Sequence, residues 1–239
     1  MKNPILLFDN DGVLLDSNAI KFNGEVFREV FEGDERRVAH VSGLLLTAEG
    51  QALNRYQLIH KVLVETGRSD LADLSYDDLK INKDILFFTQ RYSDAIRGAI
   101  LKSGIFPWTY DVIKKLHNEG FRMYVISGAE HADVLYLIEQ SGLRDFFIEV
   151  FGFGWRGNDS GGMGKKETFE YIASLEGSRD PERYRVIGDG FADYDLAKYI
   201  GCRFFGVSNN WNGWNAESDL DGVIVSDTRE VVNILLKNE

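Results

Sequence analysis

The sequence predicts an α/β fold, a doubly wound parallel sheet interrupted after its first strand by an all-helical insertion. From about Gly104 onward, short β-rich apolar runs alternate with helical segments, the order that βαβ units with right-handed crossovers produce. The run Ile5-Leu6-Leu7-Phe8 is apolar at every position, as a strand buried on both faces of a parallel sheet requires. Between the two, Ser17 to about Lys102 carries helical spacing alone.

In chain order, Ile20, Phe27 and Val30 or Phe31 recur at helical spacing, and Gly33 ends that segment. Thr47-Ala48-Glu49 opens a second helix, with Leu53, Tyr56, Ile59 or His60, and Leu63 along one side and Gly67 as terminator. Ser75-Tyr76-Asp77-Asp78 has the form of a capping box with a shortened acidic arm, and Ile85, Phe88, Tyr92, Ala95 and Ala99 mark a long helix. Pro107-Trp108-Thr109 then starts a helix through Val112, Ile113 and Leu116 to Gly120. Phe121–Ile126 is a strand ending in Ser127-Gly128, and a helix with Val134, Leu135 and Ile138 follows, closed by Gly142. Phe146–Phe151 reads as a strand, Lys166–Leu175 as a helix, Tyr184–Ile187 as a strand and Asp193–Ile200 as a helix. Phe204–Val207 and Val223–Val225 are strands, and Thr228–Lys237 is a last helix. In such a sheet, ligands bind beyond the carboxyl ends of the strands, where the strand order reverses.

Composition narrows the function. The 239 residues are 44% hydrophobic, ordinary for a folded α/β chain of this length. A net charge of −11 argues against a nucleic-acid partner, because a surface of that sign repels phosphate backbones. The single cysteine, Cys202, permits neither an internal disulfide nor a thiolate zinc cluster, and a reducing cytoplasm is the setting expected. The apolar run after Lys2 is four residues long and ends in acids, so neither a signal peptide nor a membrane span is expected.

The chemistry-bearing residues stand at strand ends. Asp9 and Asp11 flank Asn10 after the first strand, and Gly12 follows at once. Two acids so placed suit a nucleophile and a proton carrier, although Asp, Asn and Gly are also what a capping turn uses. Ser127 follows the apolar run Met123–Ile126, with Gly128 after it; a hydroxyl and N–H groups at a helix start make an anion site or simply a helix cap. Lys165 opens a helix running through Phe169, Ile172 and Ala173, behind the loop Gly161-Gly162-Met163-Gly164, and could offset carboxylate or phosphoryl charge. Lys166 competes for that role. Gly188-Asp189-Gly190-Phe191-Ala192-Asp193 follows another apolar strand and reads as an acidic site or as a turn with a capping Asp193.

Asp9-Asn10-Asp11-Gly12-Val13 with Leu14-Leu15-Asp16-Ser17, an apolar run into Ser127, a lysine at a helix start and G-D-x-x-x-D at Gly188–Asp193 occur in the order found in the haloacid dehalogenase-like hydrolases. The chain resembles in particular their phosphoglycolate phosphatase and β-phosphoglucomutase branch. One departure is Lys166, where members of the family commonly carry proline after the lysine. The resemblance implies a Rossmann-like catalytic core over residues 1–16 and 104–239, and a helical cap over 17–103 that closes on the site. It implies a Mg²⁺-dependent phosphatase acting on a small phosphorylated metabolite through a phosphoaspartate. Asp9 would be the nucleophile and Asp11 the acid and base, with Ser127, Gly128 and Lys165 on the phosphoryl group. Asp9 and Asp189 would hold the metal, joined by the Asp11 backbone carbonyl and, directly or through water, by Asp193.

A haloacid dehalogenase would not need Asp11, whereas a β-phosphoglucomutase would carry the same four motifs and a pyrophosphatase stays open. A receiver-like signalling domain or phosphate-binding module would have no reason to carry so long a helical insertion. A monomer or weak homodimer is expected. Arg55 is a candidate for a distal anion, and Trp155 and Arg156 for lining the site. Trp211 and Trp214 read as packing or interface aromatics, and His40, His60, His117 and His131 show no ligand spacing.

Overall fold

The structure, a computed structural model, describes residues 3–21, 24–45, 47, 50, 53–156, 164–210, 212–215 and 217–237. Among these, one sheet of six parallel strands is built from β1 (Ile5–Phe8), β2 (Arg122–Glu130), β3 (Glu149–Phe153), β4 (Tyr184–Gly188), β5 (Arg203–Val207) and β6 (Val223–Val225). The order is β3-β2-β1-β4-β5-β6. The chain therefore winds outward from β1 to β3 and returns to the opposite side of β1, which sets the reversal at the central strand. Phe8 lies opposite Val125 on one side and Ile187 on the other, so β1 and β4 end nearly level while β2 runs on to Glu130.

Alternation along the strands feeds two cores. Leu6 and Phe8 of β1 and Met123 and Val125 of β2 point to one face; Ile5, Leu7, Tyr124 and Ile126 point to the other. The first face is covered by Val112, Ile113 and Leu116 of one helix (Thr109–Asn118), Val134 and Ile138 of the next (His131–Gln140), and Val231 and Val232 of the last (Thr228–Lys237). The second is covered by Phe169 and Ile172 of Lys165–Glu176 and by Leu196 and Ala197 of Phe191–Ile200. Each such side chain contributes about 1.5–3 kcal/mol on burial, so the central strand tolerates no polar residue until the acids at its end. This is the doubly wound arrangement that the alternation predicts.

The segment between β1 and β2 is helical, as expected: α1 (Asn18–Lys21), α2 (Gly24–Val30), α3 (Glu35–Leu45), α4 (Arg55–Glu65), α5 (Tyr76–Leu79) and α6 (Lys83–Ser103), with no strand among the described residues. The helices named above then follow as α7 (Thr109–Asn118), α8 (His131–Gln140), α9 (Lys165–Glu176), α10 (Phe191–Ile200) and α11 (Thr228–Lys237). The chain divides into two compact units, Met1–Ser17 with Ser103–Glu239, and Asn18–Lys102. Within the helical unit, Phe27 stacks on Tyr92 at 5.4 Å and Phe31 packs at a tilt against Phe88 at 5.5 Å. No helix among the described residues is long and apolar enough to cross a membrane.

Several boundaries differ from expectation. α3 is a helix that the apolar pattern missed, because only Val38 and Val41 are buried along it; it starts where Asp34 accepts a hydrogen bond from the Arg37 N–H at 3.2 Å. A helix opens at Arg55, where Asn54 and Gln57 form a capping box; the helix start expected at Thr47 falls on Ala48 and Glu49, which lie outside the described residues, while Gly50 is helical and its N–H donates to Thr47 Oγ1 at 3.0 Å. The box at Ser75 and Asp78 forms as read. β3 starts at Glu149, the preceding Arg144–Phe146 being a 3-10 turn, and β2 continues to Glu130 with an irregular register after Ile126.

Candidate active site

The loop after β1 is closed by its own backbone. The Asp9 N–H donates to Ile187 O at 2.8 Å, and Asn10 O accepts from the N–H groups of Leu14 and Leu15 at 3.0 Å each. Gly12 takes φ 70°, the left-handed conformation that a side chain disfavours, and Val13 and Leu14 are buried beneath. Apolar residues thus anchor the turn from below, with Asp9 buried and Asp11 partly exposed. The Asp11 carboxylate accepts from Ser17 Oγ at 2.5 Å, and Ser17 is fully buried.

Asp9 and Asp193 are buried and share one ammonium. Lys165 Nζ, at the first position of α9, donates to Asp9 Oδ1 at 2.9 Å and to Asp193 Oδ1 at 2.5 Å, with its side chain 12% exposed. The other Asp193 oxygen accepts from the Gly190 N–H at 3.1 Å. Asp193 can sit so close only because residue 188 is glycine: a Cβ there would lie 2.2 Å from Asp193 Cβ.

One carboxylate oxygen from each of Asp9, Asp189 and Asp193 lies within 4.8 Å of the others. Burial, then Asp193, pushes the Asp9 carboxyl up to about 8; Asp189 and Asp11 add to this while Lys165 opposes it. Burial works against the Lys165 charge, yet Asp193 and Asp9 hold the ammonium above the usual lysine range. One lysine among four acids leaves a negative excess that a divalent cation would balance, and three hard oxygen donors are the set such an ion takes. The residues therefore fit a metal site.

The remaining expected residues fall as follows. Ser127 is buried inside β2, ahead of its end at Glu130, and does not cap a helix: its Oγ accepts from the Ala129 N–H at 3.1 Å, and α8 begins only at His131. The helix start is displaced because the chain stays extended through Glu130. A Cβ at Gly128 would meet nothing within 4 Å, so no neighbouring protein atom demands glycine there. Lys166 points elsewhere, its Nζ 5.5 Å from the Tyr199 ring centre. Residues 161–163 of the glycine-rich loop and Trp211 lie outside the described residues.

Trp155 donates to Thr168 Oγ1 at 3.2 Å, and Arg156 lies over the Trp155 and Tyr171 rings. Arg55 is engaged inside the helical unit, by Ser93 and the face of Tyr92. Trp214 is a buried packing residue, edge-on to Phe204. His40 pairs with Glu65, His60 with Leu71 O, His131 with the Gly152 N–H, and His117 packs edge-on to Phe146.

The sequence profile of the haloacid dehalogenase-like hydrolases matches residues 4–201, a span from β1 to the start of the β5 connection. The chain belongs to this family of hydrolases. A phosphoglycolate phosphatase of Vibrio vulnificus strain CMCP6 is 24% identical to this hydrolase over 221 residues, covering 87% of this chain and 85% of that one. A phosphoglycolate phosphatase of Mesorhizobium japonicum is 26% identical over 206 residues, covering 84% and 81%. In fold, the hydrolase is similar to the magnesium-bound HAD-hydrolase YfnB of Bacillus subtilis, at a TM-score of 0.69 and 19% identity over 98% of this chain and 99% of that one.

Three side chains of this hydrolase touch the acids without having been singled out in the sequence. Ser17 was legible only as the end of a motif. Asn209 and Asn212 sit in the loop after β5, where Asn209 Nδ2 donates to Asp189 Oδ2 at 2.7 Å and Asn212 Nδ2 to Asp189 O at 2.9 Å. The only sequence signal for them was an asparagine-rich run at another strand's carboxyl end.

Proposed function

We propose that this hydrolase is a Mg²⁺-dependent phosphatase that cleaves a small phosphomonoester, of the phosphoglycolate or sugar-phosphate kind, through a phosphoaspartate. The observation that carries the reading is the pairing of Asp9 with Lys165 inside a trio of converging carboxylates at the central strand end. The names of the phosphoglycolate phosphatase relatives support the substrate class.

In this reading an Asp9 oxygen attacks phosphorus in line and the ester oxygen leaves. Asp11, held by Ser17, gives that oxygen its proton and afterwards takes one from the water that hydrolyses the acyl phosphate. Lys165 lies against Asp9 Oδ1 and balances charge as the phosphoryl group arrives, and Ser127 with Gly128 binds the phosphoryl oxygens. Asp9, Asp189 and the Asp11 carbonyl, with Asp193 in support directly or through water, would hold a Mg²⁺, which would supply positive charge for the phosphoryl group. Positioning and electrostatics do most of the work. Residues 1–16 and 104–239 are the catalytic core, and 17–103 the cap.

The deciding experiment measures phosphate release with Mg²⁺ on phosphoglycolate, sugar phosphates, nucleotides and pyrophosphate, with EDTA as control. Release that EDTA abolishes and that falls to background in Asp9→Asn is expected. An Asp9→Asn enzyme retaining an appreciable share of the rate refutes the assignment. Conversion of a sugar phosphate to its isomer without free phosphate would instead identify a mutase, which shares these residues.

A further inference from the structure

The loop after β5 contributes no acid, yet it grips the metal-site aspartate by both of its ends. Asn212 uses its whole amide: Nδ2 donates to Asp189 O at 2.9 Å and to Val207 O at 2.8 Å, while Oδ1 accepts from Asn209 N at 3.1 Å and Trp214 N at 3.0 Å. A primary amide offers two donors and two acceptor positions, so this side chain is saturated and its orientation is determined. Asn209 is locked in turn. Its Oδ1 accepts from Asn212 N at 3.0 Å, and its Nδ2 donates to Asp189 Oδ2 at 2.7 Å. Reversing the Asn209 amide would set an oxygen against the carboxylate and a donor against the Asn212 N–H.

The loop is tied to the core beyond these two residues. Ser208 N donates to Val225 O at 2.8 Å, Ser208 Oγ to Trp214 O at 2.6 Å, and Trp214 is buried beside Phe204. A carboxylate on a strand end turns freely about its side-chain bonds, whereas one hydrogen-bonded to a rigid amide presents a defined face to an ion. We infer that Asn209 is a positioning residue that orients the Asp189 carboxylate for a divalent cation, with Asn212 holding Asn209 in place. This rests on the metal reading above and adds to it a residue from outside the family motifs quoted earlier.

The test is Mg²⁺ affinity measured without substrate, by calorimetry, together with Mn²⁺ binding followed by its EPR signal. Wild type, Asn209→Ala, Asn209→Ser and Asp189→Asn are compared, each melted in EDTA to confirm folding. Serine keeps an oxygen that can accept from the Asn212 N–H but falls short of Asp189, so it separates the turn from the carboxylate contact. Both Asn209 variants are expected to bind Mg²⁺ about tenfold more weakly, and the Mg²⁺ concentration for half-maximal rate should rise by the same factor. Affinity within about twofold of wild type in a folded Asn209 variant, or full recovery in the serine variant, overturns the inference. Should Asp189→Asn bind as tightly as wild type, the metal assignment itself fails and the inference falls with it.

Discussion

Replacing Ser17 with alanine tests whether Asp11 acts as the proton donor. The hydroxyl is fully buried and donates to Asp11 at 2.5 Å, so its loss removes a charge-assisted hydrogen bond from that carboxylate. Hydrogen bonds to charged groups contribute about 1.5–3 kcal/mol. If that energy is spent on orienting Asp11 in the transition state, the rate falls about 10- to 150-fold, at about 1.4 kcal/mol per factor of ten. The proper readout is kcat/KM, which reports phosphoryl transfer to Asp9 and not the later hydrolysis. An alkyl phosphomonoester, whose alkoxide needs a proton to depart, should show the full loss. p-Nitrophenyl phosphate, whose phenolate leaves unaided, should lose far less. Equal losses on the two esters would refute the proton-donor reasoning, as would a loss below about threefold on the alkyl ester.

Three other outcomes follow from the same geometry. Lys165→Met strands two buried carboxylates, which should cost about 3–5 kcal/mol in a urea melt in EDTA and abolish turnover; Lys166→Met, altering a lysine that lies over Tyr199, should retain both stability and rate. Gly188→Ala drives a methyl group to 2.2 Å from Asp193 and should destabilise by about 1–3 kcal/mol while weakening Mg²⁺ binding, measured by melting and calorimetry. Asp9 binds its proton up to about 8 in the folded chain but only to 3.8 in the unfolded one, so its contribution is complete below pH about 4 and is lost as pH rises through about 8. Metal-free protein should therefore lose stability across that window relative to Asp9→Asn, and saturating Mg²⁺ should remove the decline; parallel curves for the two proteins would exclude it.

The strands and the acids at their ends were readable because a strand buried on both faces admits only apolar residues, so a carboxylate marks its end sharply. Ile5–Phe8 into Asp9 shows this well. α3 was not readable, since a helix that buries little beyond Val38 and Val41 writes almost no periodicity into its sequence. Between Lys165 and Lys166 the family spacing through Glu167 and Phe169 favoured Lys165 without settling it: adjacent helical positions point about a quarter-turn apart, and it is the placement of α9 against β1 that brings the Lys165 ammonium to Asp9. Ser127 read either as an anion ligand or as a helix cap, and the cap alternative falls because the chain stays extended to Glu130; an extended stretch and a capping turn look alike over four residues. Asn209 and Asn212 carry no apolar pattern at all; their meaning lies in which loop their strand end happens to face.

β1 sits at the middle of the sheet, yet its neighbours β2 and β4 begin at Arg122 and Tyr184, and the Lys165 to Asp9 bond spans 156 residues. During synthesis the central strand must wait, unpaired and oily, while the ribosome delivers about half of the polypeptide, and it gains its second neighbour only at Tyr184. The helices between β1 and β2 rely on nearby contacts and can form in that interval. Competence to bind a metal would consequently emerge late and abruptly, once β4 docks, and a ribosome stalled before Lys165 would hold a chain with none.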